Sequence, residues 1–187
     1  MRILKCYWFL WLFVVTTLAG LGLGSRFTLK AEALKRDANG RSQVYSGLNP
    51  ETLVASVVKF VRLGQKEVLV SARTIGSEHV LTALVEVSQR AQVKLLLDRK
   101  ENPADRGVVA WLKRSKFRGE IRWASAGLFE QRLLIDGKIA LSGAQPWSPR
   151  YASSDATIAF SGDAEVAKWC DAFTAAWKAA TPVGTSQ

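Results

Sequence analysis
The chain has 187 residues, 48% of them hydrophobic, with 26 Lys and Arg against 16 Asp and Glu, two Cys and one His. That length fits one ordinary domain with a short appendage, and the apolar fraction excludes a disordered chain. Two cysteines exclude a disulfide framework and a four-thiolate zinc site. A single histidine excludes metal sites built on several imidazoles, and any mechanism that needs two histidines from one chain.

Residues 6–23 carry no charge and follow a short basic start with Arg2 and Lys5. About 18 apolar residues suffice to span a bilayer, whereas a signal-peptide core runs to about 7–15, so residues 1–24 read as a signal anchor or a signal peptide. Leu21 stands where a lipoprotein box opening Leu18-Ala19-Gly20 would need a cysteine, and Ala31-Glu32-Ala33 offers an A-x-A cleavage site. A basic N-terminus kept in the cytoplasm would export the rest. The expected location is therefore a bacterial inner membrane, facing the periplasm, or the periplasm after cleavage. Residues 25–44 are polar and basic and read as a linker. Only Arg2 and Lys5 of the charged residues lie in the first 24, so +8 of the formal +10 belongs to the remainder, which keeps one cysteine, Cys170.

From Asn49-Pro50-Glu51, a cap residue, a first-turn proline and an acid, the pattern predicts a helix to about Leu63-Gly64, with Leu53, Val54, Val57, Val58 and Val61 on one face. Lys66–Arg73 is β-rich and short, a strand. Ser77-Glu78 opens a second helix with Val80, Leu81, Leu84 and Val87 in register. Val93–Leu97 is an apolar run of the kind expected for a strand buried on both faces. Asn102-Pro103 is expected to cap a third helix to about Lys113, followed by a strand over Glu120–Ala124. Arg132–Ile135 and Ile139–Leu141 flank Asp136-Gly137-Lys138 as a hairpin. Thr157–Phe160 is a further strand, and Asp163 starts a last helix to about Ala180. Trp169, Phe173 and Trp177, four apart, form its core stripe, beside which Cys170 reads as a packed thiol. This order predicts an α/β fold, an α-β-α sandwich with a mixed β-sheet. One N-terminal hydrophobic helix precedes it, the domain covers 45–181, and 182–187 form a tail.

The run Leu133-Leu134-Ile135-Asp136-Gly137-Lys138-Ile139-Ala140-Leu141-Ser142-Gly143-Ala144-Gln145-Pro146-Trp147-Ser148 resembles the phospholipase D superfamily signature, H-x-K-x4-D followed by Gly, a strand and G-S-x-N. Ser71-Ala72-Arg73-Thr74-Ile75-Gly76-Ser77 and the strand ending at Asp98 resemble the small single-motif bacterial nuclease branch, over about residues 43–180. The resemblance implies a phosphodiesterase in which His attacks phosphorus, Lys and Asn hold the phosphate oxygens, and a second His protonates the leaving group. Here the His position is Phe129, the Lys position Gln131, the Ser position Ala144 and the Asn position Pro146. Asp136, Gly137, Gly143, Trp147, Ser148 and, by type, Asp155 are retained. Nucleophile, cation and amide are missing together, and a homodimer, which the small branch tends to form, would bring the same residues twice. Asp136-Gly137 reads first as hairpin turn chemistry. Arg132, one residue from the Lys position, should point to the opposite sheet face. His79, the remaining nucleophile of this type, reads as an exposed first-turn residue.

Lys113, Arg114, Lys116, Arg118 and Arg122, interleaved with Phe117 and Trp123, suit phosphate backbones, with aromatic faces for unpaired bases. A helix C-terminus also favours such cations. With Arg132 they are the candidate phosphate or nucleic-acid contacts. The reading is a phospholipase D-like domain with a degenerate site that binds nucleic acid, anionic phospholipid or a protein partner. No cofactor and no metal is expected. The alternative is a phosphodiesterase of nuclease or phospholipase D type acting through Arg132 and His79. A third class is a structural envelope protein.

Overall fold
The computed structural model describes residues 43–45, 50–126, 131–143, 147, 158–160 and 163–183. The chain divides into two units, Met1–Gly40 and Arg41–Gln187, and all described residues belong to the second. The leader and most of the linker, and the expectations made on them, lie outside the described residues. Among the described residues no helix is long and apolar enough to cross a membrane.

The predicted elements recur in order, flanked by two strands, the first and the last, that the sequence pattern does not predict: β1 (Gln43–Tyr45), α1 (Pro50–Leu63), β2 (Glu67–Ala72), α2 (Glu78–Ser88), β3 (Gln92–Leu97), α3 (Gly107–Arg114), β4 (Glu120–Trp123), β5 (Gln131–Ile135), β6 (Ile139–Gly143), β7 (Ile158–Phe160), α4 (Asp163–Ala179) and β8 (Thr181–Pro182). They form one eight-stranded mixed sheet in the order β1-β7-β6-β5-β2-β3-β4-β8. Strands β2, β3 and β4 are parallel, joined through α2 and α3, and the remaining pairs are antiparallel. Apolar runs in β2 and β3 fit this central position, where helices cover both faces.

Alternation along the strands assigns those faces. Leu69, Leu96, Leu134 and Ala140 meet Val166, Phe173 and Trp177 of α4 in one buried cluster. Phe173 and Trp177 stack with ring centroids 5.6 Å apart, as the helical stripe predicted. The opposite face carries Val68, Val70, Val93 and Leu95, all fully buried. There Gly64 sits against Val68 and against Val87 of α2, leaving no room for a Cβ. Each fully buried aliphatic side chain contributes about 1.5–3 kcal/mol, so these two layers dominate stability.

Three places differ from the sequence expectation. β1 begins within the residues read as linker and β8 reaches into the residues read as tail, because each finds an edge strand to pair with, and the third helix starts late. The third helix starts at Gly107, with Arg106 as its cap residue, not at Asn102-Pro103. The Asn102 side chain is buried and committed elsewhere. Its amide donates to the carbonyls of Arg73 and Asp98, and its oxygen accepts from the Thr74 hydroxyl at 3.0 Å. It therefore ties the connection after β2 to the connection after β3. An amide used this way is not available as a helix cap.

Candidate functional site
In an open α/β sheet, ligands bind outside the carboxyl ends of the parallel strands. At that edge β5 begins. Gln131 pairs with Gly143 and Arg132 with Ser142, while Arg132 also lies opposite Ser71 of β2. The motif positions Gln131 and Gly143 therefore come together here, and the retained Trp147 is buried. Phe129, Ala144, Gln145, Pro146, Ser148 and Asp155 lie outside the described residues.

Gln131 is 2% exposed, and among the described residues neither its amide nitrogen nor its carbonyl oxygen has a hydrogen-bond partner. Burying an amide without partners costs about 1–3 kcal/mol. The Lys position of the resembled signature thus holds a neutral side chain sealed from solvent. Ser77, cap residue of α2, is buried with an unpartnered hydroxyl.

Arg132 turns to the other face, as its position on the strand predicts. Its guanidinium lies 4.8 Å from the ring centroid of Trp169 on α4. His79 is exposed on α2, which covers the face opposite to α4, so the sheet separates the two residues. The structure does not bring them into one cleft.

Asp136 is at the other end of β5. With Gly137 it takes positive φ, 52° and 63°, and the Lys138 amide donates to the Ile135 carbonyl at 2.9 Å. This is the sign pattern of a type I′ hairpin turn. The carboxylate also accepts from the backbone amides of Gln65 (3.1 Å), Lys66 (2.8 Å) and Glu67 (2.9 Å). Burial pushes its pKa up, but these three amides and the charge of Lys138 outweigh it and hold the group below the ordinary carboxylate value. Asp136 is therefore both turn residue and tether, one strand length from Gln131. Nothing in the turn alone signalled the tether, because its partners are some 70 residues earlier in the chain.

The basic segment divides. Lys113, Arg114, Lys116 and Arg118 are exposed, and none forms an ion pair with a described residue. Lys116 takes φ 58°, and the Phe117 amide donates to the Leu112 carbonyl at 3.3 Å, closing α3 in a Schellman-type turn. Arg122 is apart from these four. It lies 4.6 Å from the Trp177 ring centroid and donates to the Trp177 carbonyl at 3.0 Å, so it clamps the end of α4. The interleaved aromatics are not free faces for bases. Trp123 is 7% exposed, and the Phe117 ring lies against Gly119, where a Cβ would overlap it. Phe117 packs where the chain turns into β4, and Trp123 is buried at that strand's other end.

The two sets of candidates occupy opposite edges. Gln131 lies where β2 ends; Lys116 and Arg118 lie where β4 begins. A six-residue strand such as β3 separates these edges by about 20 Å. Cys170 packs partly buried against the α4 core, and burial, then Glu67 and Asp171, push its thiol above the ordinary value. Among the described residues no three His, Cys, Asp or Glu side chains are placed to hold a metal ion.

No protein-family model and no curated protein matches the sequence. Solved structures do resemble it. NucT from Helicobacter pylori superposes with a TM-score of 0.66 at 13% identity, covering 76% of this chain and 98% of that one. Nuc from Salmonella typhimurium, a phospholipase D family member, gives 0.60 at 15% identity with the same coverage. TrmBL2, an archaeal chromatin protein that binds DNA, gives 0.55 at 16% identity over 90% of this chain and 66% of its own. With its mixed sheet and its hairpin, the chain has the fold of NucT and Nuc.

Proposed function
We propose that this chain is a membrane-anchored or exported phospholipase D-fold domain that does not cleave phosphodiesters and acts as a binding module for a phosphate-bearing partner. The observation that carries this reading is Gln131, buried at 2% exposure with no hydrogen-bond partner among the described residues. Phosphodiester cleavage on this fold needs a nucleophile and a cation placed on the phosphoryl oxygens. Here the cation's position is a sealed neutral amide. The register leaves no slip by which Arg132 replaces it, since Arg132 is paired opposite Ser71 and Ser142 and lies under Trp169. His79, the one histidine of the chain, is exposed on α2, across the sheet from Arg132. Four exposed cations without ion pairs, Lys113, Arg114, Lys116 and Arg118, support a phosphate-bearing partner.

The test is hydrolysis. The full chain, incubated with supercoiled plasmid DNA and with phosphatidylcholine vesicles, is expected to release no product above background. Turnover that disappears in an Arg132→Ala or His79→Ala variant overturns the reading and restores a phosphodiesterase.

A further inference from the structure
Among the described residues, four connections lie at the edge where the parallel strands begin, beside the start of α4: residues 64–66 before β2, 89–91 before β3, 115–119 before β4, and the turn 136–138 between β5 and β6. Each carries an exposed cation: Lys66, Arg90, Lys116 with Arg118, and Lys138. The one acid among these residues is Asp136, whose carboxylate is occupied by three backbone amides. The opposite edge differs. The connection from β3 to α3 holds as many acids, Asp98, Glu101 and Asp105, as bases, Arg99, Lys100 and Arg106.

The cationic connections are tied to one another in sequence along the edge. Asp136 joins the hairpin turn to the residues before β2. The Arg90 guanidinium donates to the Arg62 carbonyl at 2.8 Å, joining the ends of α2 and α1. The Gln89 side chain donates to the Lys116 carbonyl at 3.1 Å, and the Arg118 amide donates to the Ser88 hydroxyl at 3.1 Å, joining the loop before β4 to the end of α2. Lys66, Lys138 and Arg118 lie outside helix ends, so helix dipoles do not account for them. The backbone under the row is therefore held in place before any ligand arrives, which lowers the ordering cost of binding.

From this we infer that the edge formed by Lys66, Arg90, Lys116, Arg118 and Lys138 is a nucleic-acid backbone site for duplex DNA, about 20 Å from the motif edge and independent of it. The inference rests on the binding-module reading above. Strands about 4.8 Å apart spread the row over about 15 Å, along which B-DNA presents about nine phosphate charges. A row suits a linear polyanion. A bilayer surface would call for apolar side chains entering the interface, and Leu63 is the one large hydrophobic exposed among the described residues. Single strands are bound by stacking on exposed aromatic rings, and no described aromatic side chain is exposed. Backbone contact alone reads no sequence.

The experiment titrates a labelled duplex of arbitrary sequence with the full chain over 50–300 mM KCl. A five-fold variant, Lys66→Gln, Arg90→Gln, Lys116→Gln, Arg118→Gln and Lys138→Gln, is compared with a motif-edge variant, Arg73→Gln, Arg99→Gln and Lys100→Gln. The expected result is a steep salt slope for the wild type. The slope falls by about 0.9 for each phosphate contact removed, and the five-fold variant loses about 100-fold or more in affinity at 0.1 M salt. The motif-edge variant binds as the wild type does, and the five-fold variant stays folded, with a cooperative thermal transition. Equal loss in both variants, a preference for single strands, or retention on vesicles of anionic phospholipid with no duplex binding overturns the inference and leaves the binding-module reading standing. Failure of the wild type to bind duplex, single strand and anionic vesicles alike overturns both.

Discussion
Two side chains at the ends of β5 show how one strand serves different purposes at the two edges of the sheet. The Asp136 carboxylate takes three backbone amides, and its pKa is lowered in the folded chain. A depressed folded-state pKa stabilises above the unfolded value of about 3.9 and ceases to do so as pH falls through the folded one. Asp136→Asn is expected to cost about 1–2 kcal/mol at pH 7, the low end for charge-assisted bonds because the group is partly exposed. Urea unfolding of both proteins should show this difference shrinking below about pH 4. A difference constant from pH 7 to pH 3 would remove the carboxylate's role. Gln131 reverses the logic. Its two orphaned polar atoms are a cost, so Gln131→Met is expected to raise stability by about 1–2 kcal/mol and leave duplex binding unchanged. Destabilisation instead would mean that the amide has a partner, such as an enclosed water.

Helix α4 closes one face of the sheet through aromatic side chains and two arginines that reach it from the strands. Arg122 meets Trp177 and Arg132 meets Trp169, so each cation lies over a ring and shields an apolar layer. Trp177 is both a stacking partner of Phe173 and, through its carbonyl, the acceptor for Arg122. Trp177→Ala should therefore cost about 3–5 kcal/mol, read as a lower midpoint in thermal unfolding. A loss below about 1 kcal/mol would show that α4 does not seal the core. The i, i+4, i+8 spacing disclosed this stripe in advance, because helical period and hydrophobicity are local properties. The arginine clamps were not legible. They join β4 and β5 to residues 37 and 55 positions later on α4, and in the sequence Arg122 reads as one more member of a basic run. Asn102 was misread for a similar reason: Asn-Pro is a good local cap, but a buried long-range bond claims the side chain first.

At the scale of the molecule, the sheet has two edges with different chemistry. The edge where the resembled signature would place a phosphodiester contains a sealed amide; the edge about 20 Å away carries exposed cations that form no ion pair with a described residue. Composition by itself determined that a chain with one histidine cannot supply a histidine pair from within itself. Local patterning determined the order of strands and helices and thereby the α/β class, since periodicity and turn chemistry act over a few residues. Registry along β5 predicted that Arg132 would face away from Gln131, because side chains alternate on a strand. Only the tertiary structure decided that the basic segment and the motif lie at opposite edges, that Phe117 and Trp123 are packed, and that Asp136 holds the far edge together. Those facts depend on which connections the sheet order brings side by side, and that order is set by contacts between residues far apart in the chain.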